Sequence, residues 1–297
     1  MKRLFSVLFC LVFSYLAAFA QSEKEYVIDN GEIQLPGTLC AVGDYNVPVI
    51  VFVHGSGPND RNETIGPNKM FKELSEGLAK AGISSLRYDK RTLLYKTGVE
   101  TMTYMEETVD DAVKAVLQLK KEGYKHVFVA GHSLGGHLAP LIIKELKEAV
   151  EGVILLSGNT TTLEEAINAQ LRYIGGLQGA TDAQIKQSKD QMLSTLPEAY
   201  LKFDREYNAC NTLRSVLKEN PGIRWLVIQG GHDYQVTIAD FMAWQKVFGN
   251  KAVYYYGENL DHILRSLPAM ATPQDYYTPG NIDQNAIDAI ISFIKKS

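Results

Sequence analysis

The sequence predicts an α/β domain with a mainly parallel central sheet, helices on its faces and a helical insertion in its second half. Three observations predict it. Short apolar runs alternate with longer stretches of helical period along most of the chain. The run at 48–53, Pro-Val-Ile-Val-Phe-Val, is apolar at every position, as a strand is when helices cover both faces of its sheet. From Thr160 to Asn220 no strand pattern occurs, although apolar residues recur at helical spacing. Alternating strands and helices connect as right-handed βαβ units.

The elements follow in order. Residues 26–42 read as an opening hairpin with Ile28, Ile33, Leu35 and Leu39 as its apolar positions. Asp29-Asn30-Gly31 and Pro36-Gly37 are its turn signals. The strand at 48–53 ends in His54-Gly55-Ser56-Gly57-Pro58, and a polar loop runs on through Lys69. Helical period over 70–81 puts Phe71, Leu74 and Leu78 on one face, and Gly82 stops it. A strand at 83–88 ends in Asp89-Lys90-Arg91. A helix at 106–121 turns Val109, Val113, Val116 and Leu117 inward, with Gly123 just past its end. The apolar run 126–130 leads into Gly131-His132-Ser133-Leu134-Gly135-Gly136, a helical pattern covers 138–149, and a strand covers 152–157.

The insertion at about 160–220 holds helical segments near 163–173, 183–193 and 200–217, punctuated by Gly175-Gly176 and Pro197. A long excursion of this kind in an α/β protein covers a site. The sheet resumes at 223–229, which ends in Gly230-Gly231-His232-Asp233. A helix at 238–248, a strand at 253–256, the loop carrying Asp261-His262 and a helix at 287–295 complete the chain.

The amino terminus is of another kind. Lys2 and Arg3 precede an apolar run to Phe19, and Ala18-Phe19-Ala20 is a small-x-small cleavage signature. Residues 1–20 read as a secretory signal peptide cleaved after Ala20. The remaining chain, 21–297, is then exported to the periplasm or beyond, without stable membrane insertion. Cleavage leaves 28 basic against 34 acidic residues, because Lys2 and Arg3 are the only charges lost. No basic patch with interleaved aromatics appears, which argues against a nucleic-acid partner. Cys40 and Cys210 remain, and two separate buried thiols are expected rather than a disulfide.

The chemistry centres on Ser133. Glycines stand two before and two after it, between a strand and a helix, where backbones crowd and a Cβ would clash. That is the context of a nucleophile elbow. A serine hydroxyl needs a base, and the base needs an orienting partner. Strands of a parallel sheet end at one rim, so the loops after them meet there. His262 follows the last strand and is the best base. His54 closes a strand in a glycine turn, His126 begins a strand, His132 adjoins the serine with its side chain turned from the apex, His137 lies one turn into the following helix, and His232 adjoins Asp233. Asp233 follows a strand at the same rim and is the expected acid. Asp261 and Glu258 are rivals that share the histidine's own loop. Oxyanion donors are expected from the N–H groups of Leu134 and Ser56, with Gly57 as second choice. Asp60-Arg61 reads as an internal ion pair or as part of the pocket wall; the sequence does not decide between them, and the ion pair is the favoured reading. No metal site stands out, since the adjacent pairs His232-Asp233 and Asp261-His262 cannot both face one ion.

Taken together, these motifs resemble the α/β-hydrolase superfamily. The stretch His54-Gly55-Ser56-Gly57-Pro58-Asn59-Asp60-Arg61-Asn62-Glu63, with Arg87-Tyr88-Asp89-Lys90-Arg91, is similar to bacterial carboxylesterases related to dienelactone hydrolases and acylaminoacyl-peptidases. The order Ser133, Asp233, His262 is the one expected of that superfamily. The resemblance implies hydrolysis of a small-molecule ester, with no metal or organic cofactor. It leaves two alternatives open: a peptidase or amide-directed acyl hydrolase on the same residues, and a hydrolase-like binding protein without catalysis.

Overall fold

A computed structural model describes residues 22–31, 33–95 and 99–296. The expected signal segment, 1–20, lies outside them. The described chain opens with an antiparallel hairpin, β1 (Ser22–Asp29) and β2 (Gln34–Ala41). After β3 (Val49–Val53) comes a loop with a two-rung hairpin, β4 (Thr64–Ile65) and β5 (Asn68–Lys69). Then follow α1 (Met70–Lys80), β6 (Ser84–Tyr88) and the single turn α2 (Arg91–Leu94). A wide π-helical turn at Met105–Val109 feeds α3 (Asp110–Glu122), which precedes β7 (Val127–His132), α4 (Leu134–Leu146) and β8 (Gly152–Leu156).

Four helices intervene before the sheet resumes: α5 (Leu163–Gln178), α6 (Asp182–Ser194), α7 (Glu198–Glu206) and α8 (Ala209–Glu219). The chain closes with β9 (Arg224–Gly230), α9 (Ile238–Phe248), β10 (Ala252–Gly257) and α10 (Gln284–Lys295).

The eight long strands form one sheet in the order β1-β2-β6-β3-β7-β8-β9-β10. Pairing is antiparallel between β1 and β2 and between β2 and β6, and parallel from β6 to β10. Strand periodicity of two divides β3 between the sheet's faces. Val49, Val51 and Val53 enter one core with residues of α3, α4, α8 and α9. Ile50 and Phe52 enter the other core with residues of α1 and α10. The parallel strands therefore end at one rim, and the loops after β3, β7, β9 and β10 gather there.

Four readings of the sequence are corrected by this fold. Pro36-Gly37 is no turn but lies inside β2. Gly37 is needed because β2 runs close to β6, and a Cβ there would lie 2.7 Å from the Arg87 carbonyl oxygen. Leu117 is 46% exposed, because α3 faces the sheet with Ala112, Ala115, Val116 and Leu119, whose small members allow close approach. Gly175-Gly176 does not break α5, and a Cβ on Gly175 would press on the Ile185 side chain of α6 at 3.0 Å. The segment at 200–217 is two helices, α7 and α8. Leu213 and Val216 of α8 join the main core, so α8 belongs to the layer on the sheet while α5, α6 and α7 form the cap. Cys40 and Cys210 are not joined to each other, and Cys210 is only half-buried.

Candidate active site

Ser133 sits at the turn from β7 into α4 with φ 52° and ψ −114°, a strained conformation for a residue with a side chain. Its N–H donates to the Leu156 carbonyl at 2.9 Å and its own carbonyl accepts from His137 N–H at 2.9 Å, which fixes the turn. The flanking glycines are steric requirements. A Cβ on Gly131 would lie 2.3 Å from the Gly135 carbonyl oxygen, and one on Gly135 would lie 2.3 Å from the Val53 carbonyl oxygen.

Asp233 and His262 meet behind the rim. The Nδ1–H of His262 donates to Asp233 Oδ2 at 2.8 Å, since a carboxylate can only accept. Asp233 is held in turn by the N–H groups of Gln235 at 2.8 Å and Val236 at 3.0 Å, and by Gln229 Nε2 at 3.3 Å. This leaves Nε2 of His262 as an acceptor. His262 and Ser133 line one cavity of about 510 Å³ with Gly55, Ser56 and Gly57. Of the rival acids, Asp261 is engaged in a two-pronged pair with Arg265 at 2.7 and 2.9 Å. Glu258 does not line the cavity.

The other histidines brace the site or lie outside it. His132 Nε2 is 3.0 Å from the His262 carbonyl oxygen, and its Nδ1 faces Glu63 Oε1 at 3.1 Å as an oblique ion pair. Burial alone would push the His132 imidazole down, but the Glu63 carboxylate outweighs it and the net displacement is upward. Burial would raise the Glu63 carboxyl, and His132 outweighs that in the same way, so the net displacement is downward. His54 is different. Burial drives it down to about 4, so it is neutral, and its Nε2 contacts the Asp60 carbonyl oxygen at 3.1 Å. His137 and His232 contact the carbonyls of Asn159 and Leu267, and His126 pairs with Glu151.

Of the expected oxyanion donors, Ser56 and Gly57 line the cavity, and Leu134 directly follows Ser133. Leu134 opens α4, where the first N–H groups of a helix have no intrahelical acceptor. The N–H groups of Ser56 and Gly57 meet no protein acceptor among the described residues, and Gly57 takes φ 89°, which suits glycine. Arg61 lies away from the cavity, pairing with Asp89 at 2.8 Å and Glu25 at 3.1 Å. Asp60 instead accepts from Thr64 within its own loop. No group of three or more His, Cys, Asp and Glu among the described residues could hold a metal ion.

The family model described as serine aminopeptidase, S33, matches residues 47–214, more than half of the chain. The chain belongs to this family. It is an α/β hydrolase. Esterase EstD of Thermotoga maritima is 34% identical to this hydrolase over 291 residues, spanning 92% of the chain and 68% of the relative. Among solved structures, Est1E from Butyrivibrio proteoclasticus superposes with a TM-score of 0.60 at 17% identity, covering 92% of this chain and 99% of its own. A puromycin-hydrolyzing peptidase of Mycobacterium tuberculosis gives 0.59 at 15% identity, covering 94% of this chain and 39% of its own. At such identities the structures speak to the fold alone.

Sequence reasoning missed two residues beside the hydrolase's cavity, Glu63 and Lys90. Glu63 Oε1 accepts the Gly55 N–H at 2.7 Å. Lys90 Nζ donates to the Gly55 carbonyl at 2.9 Å. Both lie in the two stretches that resemble bacterial carboxylesterases, and that resemblance is the available signal.

Proposed function

We propose that this protein is an exported serine esterase that hydrolyses neutral, largely apolar carboxylic esters through an acyl-enzyme. The observation that carries the reading is the cavity itself: Ser133 and His262 open onto it, and Asp233 holds the imidazole from behind. In this reading Ser133 Oγ attacks the ester carbonyl while His262 Nε2 takes its proton. Asp233 keeps Nδ1 protonated and stabilises the imidazolium. The N–H groups of Leu134 and Ser56 receive the oxyanion, with Gly57 as the alternative to Ser56. The alkoxide leaves with the proton from His262. Water, deprotonated by the same nitrogen, then attacks the acyl-serine, and the acid departs as Ser133 recovers its proton.

The walls support the choice of substrate. Met102, Leu163, Ile167, Met192, Leu196 and Pro197 line the cavity beneath the cap. No Lys or Arg does so among the described residues, so a substrate carboxylate would find no counter-charge. The 34% identity to an esterase supports the ester bond as target. The family description favours amide cleavage as a second reading. Against it, the two carboxylates at the wall, Glu63 and Glu107, already face His132 and Lys90, so neither is spare for a substrate amine. Export rests on the sequence pattern of residues 1–20.

The test is hydrolysis of nitrophenyl esters of graded chain length, with matched anilides, by wild type and Ser133→Ala. Neutral short to medium esters should be cleaved by wild type alone. Equal rates in the two proteins would remove Ser133 from the reaction, and faster anilide than ester turnover would select the amide reading.

A further inference from the structure

Lys90 carries an ammonium group sealed inside the protein. The residue is 1% exposed, and its Nζ reaches the Gly55 carbonyl oxygen at 2.9 Å and Glu107 Oε1 at 3.2 Å. A lysine buried this deeply is held by specific partners or not at all. Its neighbours in the run from Arg87 to Arg91 do other work. Arg87 binds Asn62 and Glu23, Asp89 binds Arg61, and Arg91 binds Asp111. Lys90 alone of the run hydrogen-bonds the backbone of a cavity-lining residue.

The consequence lies in peptide geometry. A trans peptide points its C=O and N–H in opposite directions, and the described chain has no cis bond. The Gly55 carbonyl accepts from Lys90 at 2.9 Å and, at the longer distance of 3.2 Å, from Asn59 Nδ2, so the N–H of the same peptide, that of Ser56, faces away from Lys90. That N–H has no protein acceptor among the described residues, and Ser56 borders the cavity. The preceding peptide is pinned as well, because Gly55 N–H donates to Glu63. Gly55 itself is closely approached: a Cβ there would lie 3.0 Å from Glu63 Oε1 and 3.2 Å from Ser133 Cβ. A cation on the carbonyl also polarises the peptide and strengthens its N–H as a donor.

We propose that Lys90 is a positioning residue that aims and strengthens the Ser56 N–H toward the oxyanion formed at Ser133. The role rests on the ester-hydrolase reading above. Glu107 supplies the counter-charge, and the hydroxyl of Tyr200 on cap helix α7 donates to the other Glu107 oxygen at 2.8 Å. Cap, carboxylate, ammonium and donor loop thus form one connected path.

The experiment compares wild type, Lys90→Met, which keeps the side-chain length without the charge, and Lys90→Arg, which keeps the charge. Fluorophosphonate labelling counts reactive sites, so kcat is expressed per site and misfolded protein drops out. Turnover of a nitrophenyl ester is read beside inhibition by a trifluoromethyl ketone, whose adduct oxygen would occupy the same donors. Losing an oxyanion donor costs roughly 10²–10³ in kcat, and misaiming one should cost about 10- to 100-fold. K90M should show that fall with KM within about threefold and a parallel loss of ketone affinity, and K90R should recover part of it. Unchanged kcat per site in K90M, with fewer sites, would make Lys90 a support of the fold and overturn the proposal. If K90M yields no labelled protein, Lys90→Gln takes its place: a fall in kcat per site supports the role, and an unchanged value overturns it. Wild type without ester turnover would overturn the ester reading and this role together, whereas active wild type beside an unchanged variant overturns this role alone.

Discussion

His54 makes acid stability a direct test of the site's packing. The ring is 1% exposed, stands 5.2 Å from the rings of Phe71 and Tyr88, and contacts the Asp60 carbonyl oxygen. Burial lowers it from 6.5 to about 4; Glu63 opposes this and Lys90 adds to it. The sign follows from linkage. Between these two values the unfolded chain binds a proton that the folded chain refuses, so stability falls as pH drops through that window. At about 1.36 kcal/mol per pH unit the full window is worth about 3 kcal/mol, of which about 2–3 kcal/mol is lost by pH 4.5. His54→Gln keeps a donor for the Asp60 carbonyl and removes the titration. The assay is urea unfolding of both proteins at pH 7.5 and 4.5. The variant should start lower at pH 7.5 because it loses ring contacts, yet the gap should close or invert at pH 4.5. A gap that stays constant across the two pH values would refute the account of a buried, neutral imidazole.

Further outcomes follow from the same geometry. Asp233→Asn should fold, because Asn can still accept the Gln235 and Val236 N–H groups, but ester turnover should fall roughly 10³–10⁴-fold as the imidazole loses its tautomer and counter-charge. Gly135→Ala should cost more than about 3 kcal/mol in urea or abolish soluble expression, since its Cβ would lie 2.3 Å from backbone. Gly176→Ala, also in a helix but with nothing within 4 Å of the new Cβ, should stabilise by about 0.5–1 kcal/mol by the same measurement. Glu63→Gln should destabilise by about 2–3 kcal/mol at pH 6. Because His132 is displaced upward by Glu63, the contribution of its charge is present below 6.5 and fades as pH rises through the folded value, so the deficit should shrink in alkali.

Much of this architecture is legible in residue pattern, and the failures share a cause. Strands such as β3 announce themselves because every residue is apolar, and the serine turn because glycines are forced at fixed offsets. The inward face of α3 is misread when Val and Leu are counted as core, because the packing surface uses Ala112 and Ala115. Pro36-Gly37 and Gly175-Gly176 look like turns locally, yet each pair includes a glycine that serves a close approach between elements distant in sequence. Asp233, His262 and Ser133 can be matched to the rim because each follows a strand of one parallel sheet. Glu63 and Lys90 cannot, because what ties both to the donor loop is a bond to the Gly55 backbone, and a sequence does not display who binds a backbone N–H or carbonyl.

The π-helical turn at Met105–Val109 presents Glu107 inward, against Lys90. Such a turn holds one residue more than the helix it feeds. Deleting a residue between Glu107 and α3 would let α3 run on as a regular helix, the loss being absorbed within the turn, and would carry Glu107 round the helix axis by about 100°. Glu107 would leave, and the charge beneath the donor loop would lose its counter-ion. Chain length at this spot is therefore part of the design, and a deletion scan should find turnover falling here by about as much as in K90M, about 10- to 100-fold, even though Ser133 itself is untouched.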